Sequence, residues 1–318
     1  MTRCRRRTTI PGVEPKQFLH YQLTEYLGHG PLGHTYLAYD AGLERAVAVK
    51  ILSPYIHGSD DLRHRWVILQ ERLRNNPDSP AAVFDWAVDT EHQAVIREHI
   101  DGESLAERFN EGHVTYQAAL TLLVHLANQL KFVHQADLVH GNLHPSNIIF
   151  DHSAVPHLTD PLMPDTVKPW LGEVVATRRV FIAPEVLKGR TPDRHSDIFS
   201  LGAIAFYLFL GEQLTTQPDL RVEQLAERLS AGSIGEFESL ARLPSEVRLM
   251  LNMMVAEDPH ERFDNIDGLI ATIDEVRHPQ RESAEVAKKG PGPNWYLLLT
   301  LGTLLLVILW IIIASLKG

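Results

Sequence analysis

Three closely spaced glycines, Gly28, Gly30 and Gly33 in GHGPLG, lie where two runs with the composition of β-strands meet. The runs YQLTEYLGHG and HTYLAYD are rich in β-branched and aromatic residues. A G-x-G-x-x-G motif between two strands disfavours a dinucleotide-binding fold, in which the motif joins a strand to a helix. It favours a flap whose backbone amides lie over phosphate groups, with an ordinary glycine hairpin as the alternative.

A lysine follows the glycine motif at a spacing that strengthens this interpretation. The apolar run VAVK ends at Lys50, seventeen residues after Gly33. A lysine at this point of a strand is expected to direct its ammonium group into a cleft. The glycine flap and the lysine together are much more specific than either feature alone.

The first hundred residues are predicted to be mainly strands. Further strands are expected over 44–52, 82–89 and 93–100, because these runs alternate or are rich in β-branched and aromatic residues. One helix is expected over 60–76, where the periodicity is helical and a proline follows. This part of the chain is therefore predicted to form a small, β-rich lobe.

From residue 104 onward helices are predicted to dominate. An amphipathic helix is expected over 116–136, and an almost wholly apolar, buried helix over 197–212. Asp197 lies at the start of the second helix, where a carboxylate can cap the helix N-terminus. A β-rich lobe followed by a helical lobe predicts an α+β chain with a cleft between its two lobes.

Composition excludes several classes of partner and site. The net charge of -10 and the pI of about 5.9 argue against nucleic acid as a partner, because a duplex-binding protein needs a basic face. A single cysteine, Cys4, rules out an internal disulfide. None of the 17 histidines forms a tight ligand spacing such as H-x-x-x-H beside a carboxylate on one helix.

The C-terminal run WYLLLTLGTLLLVILWIIIAS, residues 295–315, contains no charged residue. A helix of this length would be about 30 Å long, enough to cross a bilayer core. We therefore expect a single transmembrane helix after a Gly/Pro-rich linker, 276–294, and a basic, flexible N-terminus over 1–17. More basic residues precede the run than follow it, so residues 1–294 are predicted to be cytoplasmic and the chain tail-anchored.

Six motifs then follow one another along the chain. They are the glycine flap with Lys50, REHIDGESL, LVHGNLHPSNIIF, LTDPL, APE at 183–185, and Arg262 in EDPHERF. In this order they resemble the protein kinase family, most closely its bacterial serine/threonine members, over about residues 18–275. The resemblance implies a two-lobed kinase fold with a β-rich lobe over 18–100 and a helical lobe over 101–275.

The resemblance also implies a role for each matching position. Lys50 would bind the α- and β-phosphates of ATP under the glycine flap, and Asn147 and Asp160 would hold magnesium. Thr35, Ala48 and Ile149 would sandwich the adenine. Glu98 and Ile100, in the stretch that resembles the family hinge, would also bind the cofactor.

Several positions depart from the family pattern. Asn142 stands where the family has its catalytic aspartate, and an amide can orient a hydroxyl but cannot accept its proton. His144 replaces the loop lysine, so a fixed positive charge becomes a titratable one. Gly141 replaces the loop arginine, and Pro161 and Leu162 replace the Phe and Gly of Asp-Phe-Gly, which restricts that turn.

Two further departures concern the surroundings of Lys50. Arg97 aligns with the residue at the back of the adenine pocket, where a buried guanidinium needs a partner. Arg97 is expected to narrow the pocket or to pair with Glu71; the alternative is that it is shifted by one position and points to solvent. Glu71 is also the nearest candidate for the helix carboxylate that would pair with Lys50.

These departures favour a membrane-anchored pseudokinase that binds ATP and magnesium weakly and regulates a protein partner near the membrane. The predicted nucleotide binding depends on magnesium and needs Lys50 and Asp160. The alternative is a low-activity serine/threonine protein kinase in which Asn142 orients the substrate hydroxyl. A membrane receptor module that binds no nucleotide is a third hypothesis.

Overall fold

A computed structural model of the chain describes residues 17–30, 32–53, 80–90, 92–109, 114–161, 176–214, 220–230 and 237–278, with the single positions 64 and 68. Within these ranges strands come first and helices follow, as the sequence predicts. Apart from positions 64 and 68, the helix expected over 60–76 lies outside the described residues. The basic segment before residue 17 and the apolar run 295–315 also lie outside them.

The β-rich part is one antiparallel sheet of six strands in the order β1-β2-β3-β4-β6-β5. The strands are β1 Gln17–Phe18, β2 Tyr21–Gly30, β3 Gly33–Asp40, β4 Arg45–Leu52, β5 Val83–Val88 and β6 Gln93–Glu98. Alternation along β4 decides which side chains reach the cleft. Val47, Val49 and Ile51 pack in the sheet's own apolar core, whereas Lys50 is on the other face and lines the cleft.

A second, three-stranded sheet lies between the β-rich part and the helices. Its strands are β7 Glu103–Ser104, β8 Ile148–Phe150 and β9 Pro156–Leu158. A 3₁₀ turn, Pro145–Asn147, leads directly into β8. This hairpin places Asn147 just before β8, Ile149 within β8 and Asp160 just beyond β9.

The helical part is built around two long helices, α2 and α5, that contact each other in a large apolar core. The helices are α1 Leu105–Phe109, α2 Tyr116–Gln135, α3 Ala176–Arg179, α4 Pro184–Leu187, α5 Arg194–Leu210, α6 Val222–Ser230, α7 Ser245–Met254 and α8 Ile266–Arg277. No helix in the described ranges has the length and apolar character needed to span a bilayer.

The start of α5 corrects one sequence-based expectation. The helix begins three residues earlier than the apolar pattern indicates, and Asp193 caps it by accepting a hydrogen bond from the Ser196 amide at 2.9 Å. The prediction that Asp197 caps this helix is therefore wrong. Asp197 lies one turn inside α5 with its side chain fully buried. The helix ends before Gly211, whose φ of 70° is a conformation that favours glycine.

Candidate functional site

A cleft of about 390 Å³ separates the six-stranded sheet from the helical part. The β2–β3 turn lies over it, and the hairpin of β8 and β9 forms its floor. The cleft brings together most of the predicted site positions: Gly28, Gly30, Thr35, Lys50, Ile100, Asn142, His144, Asn147, Ile149 and Asp160.

Gly33, Ala48 and Glu98 are not among the residues that line the cleft. A side chain at Gly33, where φ is +141°, would lie 2.0 Å from the Ile51 carbonyl oxygen, so the close approach of β3 and β4 requires glycine. Ala48 is fully buried in β4. The Glu98 carboxylate points away and accepts a hydrogen bond from the Ala82 amide at 3.1 Å.

Two cationic side chains form ion pairs with the carboxylate of Asp160. The Lys50 ammonium lies 2.7 Å from Oδ2, and Arg97 Nε donates to Oδ1 at 2.7 Å. The side chains of Lys50, Arg97 and Asp160 are 9%, 6% and 12% exposed, so water screens the charges little. Arg97 therefore does not point to solvent, and both Lys50 and Arg97 find their carboxylate in Asp160. Glu71, the predicted partner, is outside the described residues.

The acid–base properties of this cluster follow from its geometry. Burial alone would raise the pKa of Asp160, but the Arg97 guanidinium and the Lys50 ammonium outweigh that effect and hold the pKa well below its usual range. Burial lowers the pKa of Lys50, and the adjacent carboxylate opposes the shift. At neutral pH Asp160 is therefore an ionised carboxylate in contact with Lys50 and Arg97.

Asn142 and Asn147 are joined to the same cluster through the backbone. The Asn142 side-chain amide donates to the Asp160 carbonyl oxygen at 2.8 Å, and the Asn147 amide donates to the Asn142 carbonyl oxygen at 2.9 Å. Asp160 itself has a φ of +56°, which is uncommon for a non-glycine residue. These hydrogen bonds hold Asn142, Asn147 and Asp160 together. In them the Asn142 side-chain NH₂ group acts as a donor.

His144, at the position of the loop lysine, is buried and accepts a hydrogen bond from the Ser146 amide through Nδ1 at 3.2 Å. Burial lowers its pKa well below the ordinary value, and the charges of Arg178 and Lys50 lower it further. The imidazole is therefore neutral at physiological pH, so His144 does not supply the positive charge of a lysine.

Asp197 anchors the loop that carries Asn142 and His144. Its carboxylate accepts hydrogen bonds from the backbone amides of His140 and Gly141, each at 2.8 Å, and lies 2.9 Å from His134 Nε2. This role was missed because the sequence shows only that Asp197 lies near a helix start. The partners lie more than 50 residues away along the chain.

Arg178, which sequence reasoning also missed, reaches the cleft from the helical side. Its guanidinium lies under the glycine flap, where a Cβ on Gly30 would be 3.2 Å from one terminal nitrogen. It is close enough to Asp160, Lys50 and His144 to influence their pKa values. No motif marks Arg178 in the sequence, because the arginine pair before APE resembles any exposed basic turn.

The pair formed by Glu185 of APE and Arg262 matches the kinase resemblance. Arg262 donates from its two terminal nitrogens to the two oxygens of Glu185, at 2.7 and 2.9 Å. Its side chain is fully buried, and it lies over the ring of Phe199. A paired, buried contact of this kind fixes α4 against α5 and the turn at Pro259–Glu261.

The magnesium ion that the resemblance implies does not fit this arrangement. Mg²⁺ requires about six oxygen ligands near 2.1 Å. Each carboxylate oxygen of Asp160 already contacts a protein cation, Lys50 or Arg97. Asn147 can offer a metal ion only its side-chain amide oxygen. A divalent ion placed here would also meet two positive charges directly.

Comparisons with known proteins support the kinase resemblance. Residues 21–272 match the family model of the protein kinase domain. The chain is 24% identical over 287 residues to the serine/threonine-protein kinase PrkC of Bacillus subtilis, covering 85% of this chain and 44% of PrkC. It is 24% identical over 277 residues to the serine/threonine-protein kinase PknB of Mycobacterium tuberculosis, covering 83% of this chain and 44% of PknB. The chain thus spans less than half the length of these two curated relatives.

A solved structure supports the fold. The crystal structure of the Mycobacterium tuberculosis PknI kinase domain has a TM-score of 0.59 and 19% identity, covering 84% of this chain and 99% of that chain. The two lobes described above are therefore those of a protein kinase. Family members in general use ATP and Mg²⁺. Because the family model covers most of its length, this chain belongs to the protein kinase domain family.

Proposed function

We propose that this chain is a pseudokinase, which regulates a protein partner and transfers phosphate at a negligible rate. The observation that carries the proposal is Asn142, which donates its amide to the Asp160 carbonyl oxygen at 2.8 Å. An amide cannot accept the proton of a substrate hydroxyl. The loss of a general base typically costs about 10²- to 10⁴-fold in rate.

The charges around Asn142 support the same conclusion. His144 is neutral, so the position of the loop lysine carries no positive charge near the transferred phosphate. Both oxygens of Asp160 are in contact with protein cations. Phosphate transfer depends mainly on positioning and charge stabilisation, so these changes weaken the step that Asn142 already impairs.

A low-activity serine/threonine protein kinase is the second candidate, and one observation favours it. Lys50, Asn147 and Asp160 are assembled in one cleft, with Lys50 2.7 Å from Asp160. In this alternative Asn142 would orient a substrate hydroxyl without removing its proton. The serine/threonine kinases found as relatives are consistent with either candidate.

One assay distinguishes the two candidate functions. Purified full-length chain is incubated with ATP labelled at the γ-phosphate, magnesium and a generic basic protein, and label is followed on that protein and on the chain itself. The pseudokinase proposal predicts no transfer above that of Asp160→Ala. Robust transfer that Asp160→Ala abolishes would support the low-activity kinase instead.

Repairing the catalytic position alone is expected to fail. In Asn142→Asp a carboxylate replaces a donor 2.8 Å from the Asp160 carbonyl oxygen, so the repair introduces repulsion where there was a hydrogen bond. His144 stays neutral and Arg97 stays on Asp160. Because positioning effects multiply in the rate, we expect Asn142→Asp to raise single-turnover transfer by less than about tenfold.

The double variant Asn142→Asp with His144→Lys is the matched comparison. It should exceed each single variant and yet remain far below the roughly 1–100 s⁻¹ typical of kinases. Circular dichroism checks that the buried lysine leaves the fold intact. Recovery of an ordinary kinase rate by Asn142→Asp alone would show that position 142 is the only defect.

We also propose that the protein is anchored to a membrane. The domain over 18–275 would be held at a membrane by a helix over 295–315 through the linker 276–294, with residues 1–294 in the cytoplasm. The uncharged run of the sequence supports this arrangement.

Deleting residues 295–318 is therefore expected to move the protein from the membrane pellet to the supernatant after ultracentrifugation. The physical reason is the loss of the apolar surface that a bilayer would otherwise solvate. Deleting residues 1–16 is the control and should leave the protein in the pellet. A truncated protein that still pellets would contradict the anchor.

The partner is proposed to be a protein near the same membrane, and the chain's net charge of -10 argues against nucleic acid. Affinity capture of the full-length chain from a detergent extract, followed by mass spectrometry, would identify candidates. A true partner should also bind Asp160→Ala, because the proposed role needs no phosphate transfer.

A further inference from the structure

The end of the cleft near Asp160 carries an excess of positive charge. Lys50, Arg97 and Arg178 line it, and Asp160 is the single carboxylate among them. Among the described lining residues the other acidic side chain is Glu107. It is exposed and accepts hydrogen bonds from the amide and hydroxyl of Ser104. One carboxylate cannot neutralise three cations, so this end of the cleft attracts anions.

Arg178 has no hydrogen-bond or ion-pair partner within the described part of the chain, although it is half-buried. It lies between the glycine flap at Gly30 and the Lys50–Asp160 pair. Asp160 influences this guanidinium without a hydrogen bond or ion pair to it. A guanidinium withdrawn from water without a directly paired carboxylate is unfavourable unless a ligand supplies the negative charge. Its planar set of donors matches the oxygens of a phosphate group.

Arg97 occupies the region where a kinase needs a divalent ion. Besides its contact with Asp160, its terminal nitrogen donates to the Glu98 carbonyl oxygen at 2.9 Å, so the guanidinium is held at both ends. A bound Mg²⁺ would have to displace a buried arginine whose guanidinium makes hydrogen bonds to both Asp160 and Glu98. An arginine already fixed in this position provides positive charge without any metal.

We propose that the cleft binds the polyphosphate chain of a nucleotide without a divalent metal, with Lys50, Arg97 and Arg178 supplying the positive charge. The inference rests on the proposed function in that it concerns the same cleft, and it specifies the ligand of a kinase domain that no longer transfers phosphate. Metal-free ATP carries more negative charge than its magnesium complex, so its electrostatic attraction to these cations is stronger.

The rest of the cleft fits the nucleoside part of such a ligand. Thr35 and Ile149, which the kinase resemblance assigns to the adenine, line the cleft together with Leu27 and Ile100. A nucleotide triphosphate and inorganic triphosphate both present a polyphosphate anion to the cationic end of the cleft. Apolar surface beside the cationic end favours the nucleotide over the inorganic ion.

The test is isothermal titration of the full-length chain, in detergent, with ATP in excess EDTA and again in excess MgCl₂. ATP is expected to bind in EDTA at least as tightly as in magnesium. Inorganic triphosphate in EDTA should displace ATP but bind more weakly. Binding that appears only with magnesium, or no binding in either condition, would overturn the proposal.

Variants of the cations sharpen the test. Arg178→Met removes an unpartnered charge, so it should fold normally and weaken metal-free binding about tenfold or more. Arg97→Met should weaken metal-free binding similarly and, by releasing one oxygen of Asp160, make magnesium strengthen binding. Arg242→Met, an exposed arginine outside the cleft, is the control and should behave as the unmodified chain.

Failure of this inference is distinguishable from failure of the proposed function. If ATP binds only with magnesium but no phosphate is transferred, the metal-free inference is overturned and the pseudokinase proposal stands. Equal metal-free affinity in Arg97→Met, Arg178→Met and the unmodified chain would also overturn the inference, because the charges would then play no part.

Discussion

Replacing Arg262 with methionine is expected to lower the free energy of unfolding by about 3–5 kcal/mol, as is typical when one partner of a buried ion pair is removed. Methionine fills much of the space of the arginine stem but leaves the Glu185 carboxylate buried without its counter-charge. It also removes hydrogen-bond donors from the carbonyl oxygens of His195, Ala256 and Glu257.

The measurement is urea unfolding of the full-length chain, followed by tryptophan fluorescence. Lys131→Met is the control, because its partly exposed ion pair with Asp267 should contribute less than about 1 kcal/mol. The double variant Glu185→Gln with Arg262→Met removes the unpaired charge and should recover part of the loss, but the three carbonyl oxygens still lack donors. A loss below about 1 kcal/mol for Arg262→Met would contradict this account.

Asp197→Asn is expected to destabilise the chain by about 2 kcal/mol or more, although the two side chains have nearly the same size. The carboxylate accepts from two backbone amides, of His140 and Gly141, through different oxygens. An asparagine has one oxygen, so one of these amides would face an NH₂ group that cannot accept. The loop that carries Asn142 should then loosen.

Hydrogen exchange separates this local effect from a general loss of stability. The amides of His140 and Gly141 should exchange faster in Asp197→Asn than the global change in stability accounts for. Asp193→Ala removes the true cap of the same helix, which should cost about 1 kcal/mol. It should not selectively affect those two amides. Equal exchange of both amides in the two variants would show that Asp197 does not anchor the loop.

Local patterns predict much of this fold. Lys50, at the end of the apolar run VAVK, is expected to enter a cleft, and it lines one. The amphipathic run 116–136 predicts α2 to within one residue at its C-terminus. Two-lobed architecture follows from the order of motifs. These features were accessible because each depends on the period of a strand or helix or on residues adjacent in the chain.

The pairings inside the cleft could not be predicted in the same way. Arg97 and Asp160 are 63 residues apart, and the sequence shows only that a buried arginine needs some carboxylate. Asp197 met the local rule for a helix cap, but its tertiary partners determine its role. Arg178 contributes charge because the chain brings it under the glycine flap, and no spacing in the sequence indicates that approach.

One ratio tests most directly whether this kinase domain has lost phosphate transfer. The ratio is the single-turnover rate of γ-phosphate transfer by the unmodified chain divided by that of Asp160→Ala, measured with ATP and magnesium. With Asn142 unable to accept a proton and Asp160 held by Lys50 and Arg97, the ratio should be close to one. A ratio on the order of 100 or more, comparable to the contribution of a working general base, would contradict the account and identify the chain as an active kinase.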